Sequence, residues 1–127
     1  MRKKSRAAQG SNPHFISFSK KVLVLQKYDG KCSYCGNNMG EGEFSVDHFV
    51  PKVLGGTSDI ENLMPSCITC NKTKNKKSIE EFRLTLQLKK LGMFQIVNHV
   101  QAKKLIDLGV KFPHEDHIFY FEIVGRK

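Results

Sequence analysis

Four cysteines, arranged in two pairs, are the residues of this chain whose spacing points most directly to chemistry. Each pair has the form Cys-x₂-Cys, and together the pairs use every cysteine present. A two-residue spacer lets both sulfurs of a pair reach one metal ion, and two pairs complete the tetrahedral thiolate set that Zn²⁺ prefers. Four thiolates leave no position for water, so the predicted zinc is structural. The predicted ligands are Cys32, Cys35, Cys67 and Cys70. A redox pair and buried free thiols are the alternatives, and the repeated spacing argues against both.

The segment between the two pairs contains a second group of reactive side chains. Residues 36–66 are longer than the spacer of a simple zinc ribbon, so we expect the zinc to clamp the base of an inserted unit. In this unit Asp47 directly precedes His48. A carboxylate can hold a divalent cation, and an imidazole, whose reference pKa is about 6.5, can take a proton from water. Hydrolysis of a phosphodiester needs both of these functions.

From Lys31 to Lys77 the order of residues closely resembles that of the zinc-bearing HNH endonucleases of phages and bacteria. Besides the two cysteine pairs, the shared features are Asp47-His48, Gly55-Gly56, Asn62-Leu63 and Cys70-Asn71. The resemblance implies a ββα-metal (His-Me finger) core, in which a hairpin packs on a helix around one divalent ion. The fold class is therefore predicted to be α+β.

The resemblance also implies a role for each matching side chain. Asp47 is expected to bind the catalytic cation and His48 to act as the general base. Asn62 is expected to brace the loop beside the base, and Asn71, where many members have His, is expected to be a second metal ligand. Oxygen ligands of this kind favour Mg²⁺ or Mn²⁺. The implied reaction is one-metal hydrolysis of DNA that leaves 5′-phosphate and 3′-hydroxyl ends.

The charge of the chain favours a polyanionic partner. The chain has 21 Lys and Arg against 12 Asp and Glu, a formal charge of +9. Such an excess attracts nucleic acid, although lysines can also serve solubility alone. Lys72, Lys74 and Lys77 are the predicted nucleic-acid contacts, with a merely solvated face as the alternative. A catalytically silent zinc module that only binds nucleic acid is the alternative function, and a zinc knuckle that recruits a protein partner is a weaker one.

The elements of the core must bring these side chains together. Neighbouring residues on a strand point to opposite faces, so Asp47 and His48 must lie at a strand end or a bulge. Pro51, just downstream, favours an end. We predict strands over 44–48 and near 62–64, and a helix that opens at about Cys67 and runs to 76 or 77.

The segments on either side of the core carry no chemical motif. Residues 1–13 are predicted to be a flexible basic arm, and 14–127 a single domain with its core at 31–77 and a C-terminal helical extension at 78–127. Ser19 is expected to cap a helix over 20–28 that Gly30 ends. Val22–Leu25 could instead form a strand.

Three elements are predicted after the core. Ser78 and Glu81 form a capping box for a helix that ends at Gly92. A further helix is predicted over about 95–108, and a closing strand over 118–123, where aromatic and β-branched residues are dense. The side chains expected to face inward from the second helix are Ile96, Val97, Val100, Leu105 and Leu108.

The sequence also bears on location and assembly. The longest apolar run, Val22–Leu25, is too short for a membrane span or a signal-peptide core, so we expect a cytoplasmic protein with no membrane partner. A single ββα unit cuts one strand, and the helices after Ser78 could form a homodimer.

Overall fold

The computed structural model describes residues 16–40 and 43–127, and the predicted basic arm at 1–13 lies outside this part. The first described helix, α1, spans Phe18–Gln26. Its N-cap is Ser17, whose hydroxyl accepts a hydrogen bond from the backbone N–H of Lys20 at 3.2 Å. The predicted helix is therefore confirmed, but its predicted cap, Ser19, lies inside the first turn because the extended backbone ends two residues earlier.

An antiparallel hairpin lies next to α1. Strand β1 spans Ser45–His48 and strand β2 spans Leu63–Ser66, with Asp47 opposite Met64 and His48 opposite Leu63. All four residues of β2 are buried, whereas β1 buries only Asp47. Two short 3₁₀ turns, Lys52–Leu54 and Ile60–Asn62, lie in the connection between the strands.

Two helices follow the hairpin. Helix α2 spans Ile68–Lys74, with Cys67 at its N-cap, and it ends two to three residues earlier than predicted, where Asn75 takes a positive φ of 49°. Helix α3 spans Ile79–Lys90. The predicted capping box of α3 is present, since Ser78 and Glu81 each bond the other's backbone N–H. The hairpin with α2 supplies the two strands and the helix of the predicted core, so the α+β class is confirmed.

The prediction for the next helix is only partly right. Helix α4 spans His99–Asp107, and its N-cap is Asn98, so it begins four residues later than predicted. Its one fully buried residue is Ala102, because the helix packs on α3 through a narrow face. Ile96, Val100 and Leu108, expected to face inward, are each more than 60% exposed.

The predicted C-terminal strand is wrong: the chain forms a short helix there, α5, over Tyr120–Val124. The backbone N–H groups of Tyr120 and Phe121 donate to carbonyls in the loop of the first cysteine pair rather than to a strand. Aromatic density in this segment reflects burial, since Phe119 and Phe121 lie in the core. A run of aromatic residues can form a buried helix as well as a buried strand, so composition alone could not distinguish the two.

The core is a cluster of aromatic rings beneath the first cysteine pair. Tyr34 packs edge-on against Phe82 and Phe119, with ring centroids 5.4 and 5.8 Å apart. Phe121 joins this cluster and contacts Phe49 just after β1. The hairpin, α3 and the C-terminal segment therefore share one core, which adjoins the cysteine cluster.

Candidate active site

The four cysteines come together as their spacing predicts. Their sulfur atoms all lie within 4.8 Å of one another, and the Sγ atoms of Cys35 and Cys67 are 3.9 Å apart. Two sulfurs bound to one tetrahedral Zn²⁺ at 2.3 Å would be about 3.8 Å apart. The cluster could therefore hold a metal ion after adjustments of at most about 1 Å between its sulfur atoms.

Crowding of the thiols shifts their pKa values in opposite directions. The hydrogen bond from the Cys70 thiol lowers the pKa of Cys32 to about 4, and the same contact raises the pKa of Cys70. Burial is the main cause that raises the pKa of Cys35 to about 11. One thiolate is thus stabilised by its neighbours, whereas a full set of thiolates needs a cation to balance the charge.

The first cysteine pair is fixed to both the hairpin and the C-terminal segment. Ser33, between the two cysteines, donates from its backbone N–H and its hydroxyl to the carbonyl of Pro65 in β2, at 2.9 and 2.8 Å. Gly36 follows the pair with φ at +78°, and a Cβ at this position would lie 2.9 Å from the ring of Tyr120. Glycine is therefore required for both the turn and the close contact.

A cleft of about 350 Å³ lies at the end of β1, beside α2. Three of the four predicted catalytic residues, Asp47, His48 and Asn71, line it together. His48 is the last residue of β1, as the opposed faces of a strand require if both members of the pair are to reach one site. The other lining residues are Val46, Pro51, Lys52, Val53, Asn75 and Lys76.

Asp47 is held by two donors on one of its oxygens. Its Oδ2 accepts a hydrogen bond from the Tyr34 hydroxyl at 2.5 Å and lies 3.0 Å from the Lys74 ammonium. Burial raises the pKa of the Asp47 carboxyl, and the charge of Lys74 and the bond from Tyr34 offset only part of this rise. The Lys74 ammonium also donates to the backbone carbonyl of His48 at 3.0 Å, so it ties together both residues of the pair.

Of the three lysines predicted to contact nucleic acid, Lys74 is placed differently from the prediction. Lys74 is fully buried against Asp47, so the expected direct contact with phosphate does not fit its position. Lys77 donates to the carbonyl of Thr73, and Lys72 is exposed. Lys52 and Lys76 line the cleft itself, although the sequence did not mark either as a contact. A usable signal existed for Lys52, because it follows the Asp-His pair by only a few residues.

Asn62 lies outside the cleft and fastens the loop behind it. Its side-chain amide bonds both backbone groups of Val50, accepting from the N–H at 2.9 Å and donating to the carbonyl at 3.1 Å, and it also donates to the carbonyl of Thr57 at 2.8 Å. Gly56 permits this closure, because a Cβ there would lie 1.7 Å from the Val50 carbonyl oxygen. Within the same loop, the Ser58 hydroxyl lies 3.0 Å from Nε2 of His48.

Comparison with known proteins matches the segment that builds this site. Residues 32–77 match the family described as HNH endonuclease. This segment is of the HNH type. The match begins at the first cysteine and ends just after α2, so it includes the cysteine cluster, the hairpin and the cleft. The resemblance stated from the sequence is therefore confirmed for these residues.

Two known proteins that the chain is similar to are much longer than it. A stretch of 51 residues is 35% identical to the CRISPR-associated endonuclease Cas9 of Corynebacterium diphtheriae, and it is 39% of this chain but 5% of that relative. A crystal structure of the Type II-C Cas9 enzyme from Actinomyces naeslundii aligns with a TM-score of 0.47 at 23% identity, over 84% of this chain and 12% of that one. The chain thus spans a small fraction of the length of either protein.

Among the described residues, no helix has the length and apolar character needed to cross a membrane.

Proposed function

We propose that this protein is a metal-dependent DNA endonuclease that hydrolyses phosphodiester bonds. The observation that carries the proposal is the shared cleft: Asp47, His48 and Asn71 line it within the segment of HNH type. Lys52 and Lys76 line the same cleft and supply positive charge beside it, which favours a phosphate backbone as the substrate.

The donors in the cleft fit a hard divalent cation. Asp47 offers a carboxylate and Asn71 an amide oxygen, and neither is a soft ligand. Such a sparse oxygen set suits Mg²⁺ or Mn²⁺, which keep several waters and accept substrate phosphate oxygens. A cation bound there would neutralise charge on the scissile phosphate and on the departing 3′ oxygen.

Proton transfer and positioning of the loop beside the cleft are assigned to two further side chains. His48 acts as the general base and takes a proton from the attacking water, a contribution typically worth about 10²–10⁴ in rate. Asn62 holds the loop that lies against His48 through its bonds to Val50 and Thr57. In-line attack of this water on phosphorus, with departure of the 3′ oxygen, leaves 5′-phosphate and 3′-hydroxyl ends.

The cysteine cluster is proposed to bind a structural Zn²⁺. Its sulfur spacing suits a closed tetrahedral site, and the two pairs join the loop before β1 to the start of α2. A cation there would fix the helix that carries Asn71 relative to the strand that carries Asp47.

A homodimer remains a prediction, which light scattering with and without duplex DNA would test.

One observation favours the alternative of a silent nucleic-acid-binding module. Asp47 is only 6% exposed and already paired with Lys74, so a cation must approach a carboxylate whose charge is partly satisfied. In such a module, DNA binding would not depend on a divalent cation. The DNA would stay uncut both with the wild-type protein and with any variant of His48.

A plasmid-cutting assay with Mg²⁺ and with Mn²⁺ separates the two functions. The wild-type protein is expected to nick or linearise the plasmid, and His48→Ala to bind it with equal affinity without cutting it. His114→Ala is a matched control, because His114 lines a separate pocket beside Gln87 and Leu91 and is not among the residues that line the cleft. Equal cutting by wild type and His48→Ala, or no cutting by wild type with any divalent metal, would overturn the nuclease.

A further inference from the structure

Tyr34 is a buried tyrosine that occupies a position between the two cysteines of the first pair. Its side chain is 1% exposed, and its ring is wedged edge-on against Phe82 and Phe119. Its backbone is also held on both sides, since its N–H contacts the Cys32 sulfur at 3.4 Å and its carbonyl accepts from Tyr120 at 3.0 Å. The phenol is therefore rigidly placed by the cysteine loop and the aromatic core together.

The hydroxyl of this tyrosine reaches the carboxylate of the cleft. It donates to Oδ2 of Asp47 at 2.5 Å, and Lys74 contacts the same oxygen at 3.0 Å. Two donors on Oδ2 oppose rotation of the carboxylate, and we expect Oδ1 to be the oxygen that a cation in the cleft would meet. A buried carboxylate held in this way has its metal-binding oxygen oriented before the metal arrives.

We propose that Tyr34 is a positioning residue that couples the cysteine cluster to the divalent-cation site through Asp47. The proposal rests on the proposed nuclease function and assigns to Tyr34 a role in cation affinity rather than in chemistry. Tyr34 belongs to the cysteine loop by its backbone and to the cleft by its hydroxyl. No other residue between the two cysteines of a pair contacts a cleft side chain among the hydrogen bonds of the described residues.

The test is Tyr34→Phe, which keeps the ring in the core and removes only the hydroxyl. Tyr28→Phe is the matched control: Tyr28 is also buried, and its hydroxyl accepts a hydrogen bond from the backbone of Lys127, away from Asp47. Mn²⁺ binding to the zinc-loaded full chain, with and without a DNA duplex, is followed by the electron paramagnetic resonance signal of free Mn²⁺. Loss of an outer hydrogen bond to a metal ligand typically costs 10–100-fold in metal affinity. We expect Tyr34→Phe to weaken Mn²⁺ binding at least tenfold and Tyr28→Phe to change it less than twofold.

Two further readouts separate positioning from a general structural defect. In cleavage assays, the Mn²⁺ concentration for half-maximal rate should rise by the same factor in Tyr34→Phe, while the rate at saturating Mn²⁺ should fall much less. The absorption spectrum of Co²⁺ substituted into the cysteine cluster should be unchanged, which would show that the cluster is intact. An altered cobalt spectrum, or a fall in rate that saturating Mn²⁺ does not restore, would overturn the proposal in favour of a structural role.

The outcomes also separate this proposal from the nuclease itself. If the wild-type protein binds Mn²⁺ and cuts DNA but Tyr34→Phe binds Mn²⁺ with unchanged affinity, the coupling role is wrong and the nuclease stands. If the wild-type protein neither binds Mn²⁺ nor cuts DNA, both are overturned.

Discussion

Replacement of Lys74 by methionine should leave the Asp47 carboxylate buried without its counter-ion. The ammonium lies 3.0 Å from Oδ2 of Asp47, and the two side chains are 0% and 6% exposed. Methionine preserves most of the length of the side chain but loses the charge and the bond to the carbonyl of His48. Removal of one partner of a buried pair typically costs about 3–5 kcal/mol, because the other charge stays uncompensated. We therefore expect the free energy of unfolding of Lys74→Met to fall by about 3 kcal/mol or more at pH 8.

The loss should depend on pH in a direction that the pKa of Asp47 sets. Burial already raises this pKa, and the charge of Lys74 is the largest influence that lowers it. Without Lys74 the pKa rises further, so the folded variant holds a proton at pH values where the unfolded chain, with a pKa of about 3.9, has lost it. A folded-state pKa above the unfolded value means that stability falls as pH rises between the two values. The deficit is therefore smaller at pH 5.5 than at pH 8.

Urea unfolding of the wild type and Lys74→Met at both pH values, followed by circular dichroism, measures this difference. Each unit by which Lys74→Met raises the pKa of Asp47 within this interval adds about 1.4 kcal/mol to the deficit at pH 8 relative to pH 5.5. Lys27→Met is the matched control, because the Lys27 ammonium donates to the neutral backbone carbonyls of Ile60 and Leu63 and not to a carboxylate. A loss below 1 kcal/mol that is equal at the two pH values would refute the ion pair as the feature that keeps Asp47 charged.

Three further predictions concern the cysteine cluster, the braced loop and the cleft lysines. Cys67→Ser removes a thiolate ligand but leaves a hydroxyl that can still accept the N–H of Cys70 at the start of α2, so we expect loss of bound zinc and a fall in the thermal midpoint that follows from the lost metal, measured by metal analysis and by calorimetry. Asn62→Ala removes three side-chain hydrogen bonds to the loop, each worth about 0.5–1.5 kcal/mol, and should lower the free energy of unfolding in urea by about 1–3 kcal/mol, with a lower cleavage rate at unchanged DNA affinity; full activity would contradict the bracing role. Lys52→Met and Lys76→Met should each lower the slope of log affinity for DNA against log salt by about 1, and an unchanged slope in a filter-binding titration would remove that lysine from the interface.

The chemistry-bearing part of the fold was largely predictable because its constraints are local and rigid. Two Cys-x₂-Cys spacings suffice to predict that four sulfurs meet, and they do so within 4.8 Å. The opposed faces of a strand, together with Pro51, suffice to predict that the Asp-His pair ends a strand, and His48 is the last residue of β1. The capping box at Ser78 likewise depends on four consecutive residues and is present.

What could not be predicted depends on contacts between residues far apart in the chain. The positive charge of Lys74 predicted a nucleic-acid contact, but the sequence gave no sign that a carboxylate from β1 would cover that ammonium. Lysine is seldom buried, so the exposed interpretation was the natural one from sequence. The hydrogen bond of the Tyr34 hydroxyl could not be predicted from the sequence either, because its acceptor, Asp47, lies thirteen positions further along the chain and on another element.

The C-terminal segment shows why the HNH segment does not contain all that its own geometry requires. Residues 32–77 carry the cysteines and the cleft, yet the carbonyls of Ser33 and Tyr34 are satisfied by the N–H groups of Phe121 and Tyr120. Arg126 lies over the ring of Phe49 at 3.9 Å and donates to the carbonyl of Glu61, so the last residues of the chain contact the loops at both ends of the connection between β1 and β2. A motif records the residues that do chemistry, whereas the cysteine loop that carries Tyr34 is held by helix α5 and by core residues outside the motif. The proposed coupling through Tyr34 therefore depends on contacts of the C-terminal segment as well as on residues of the motif.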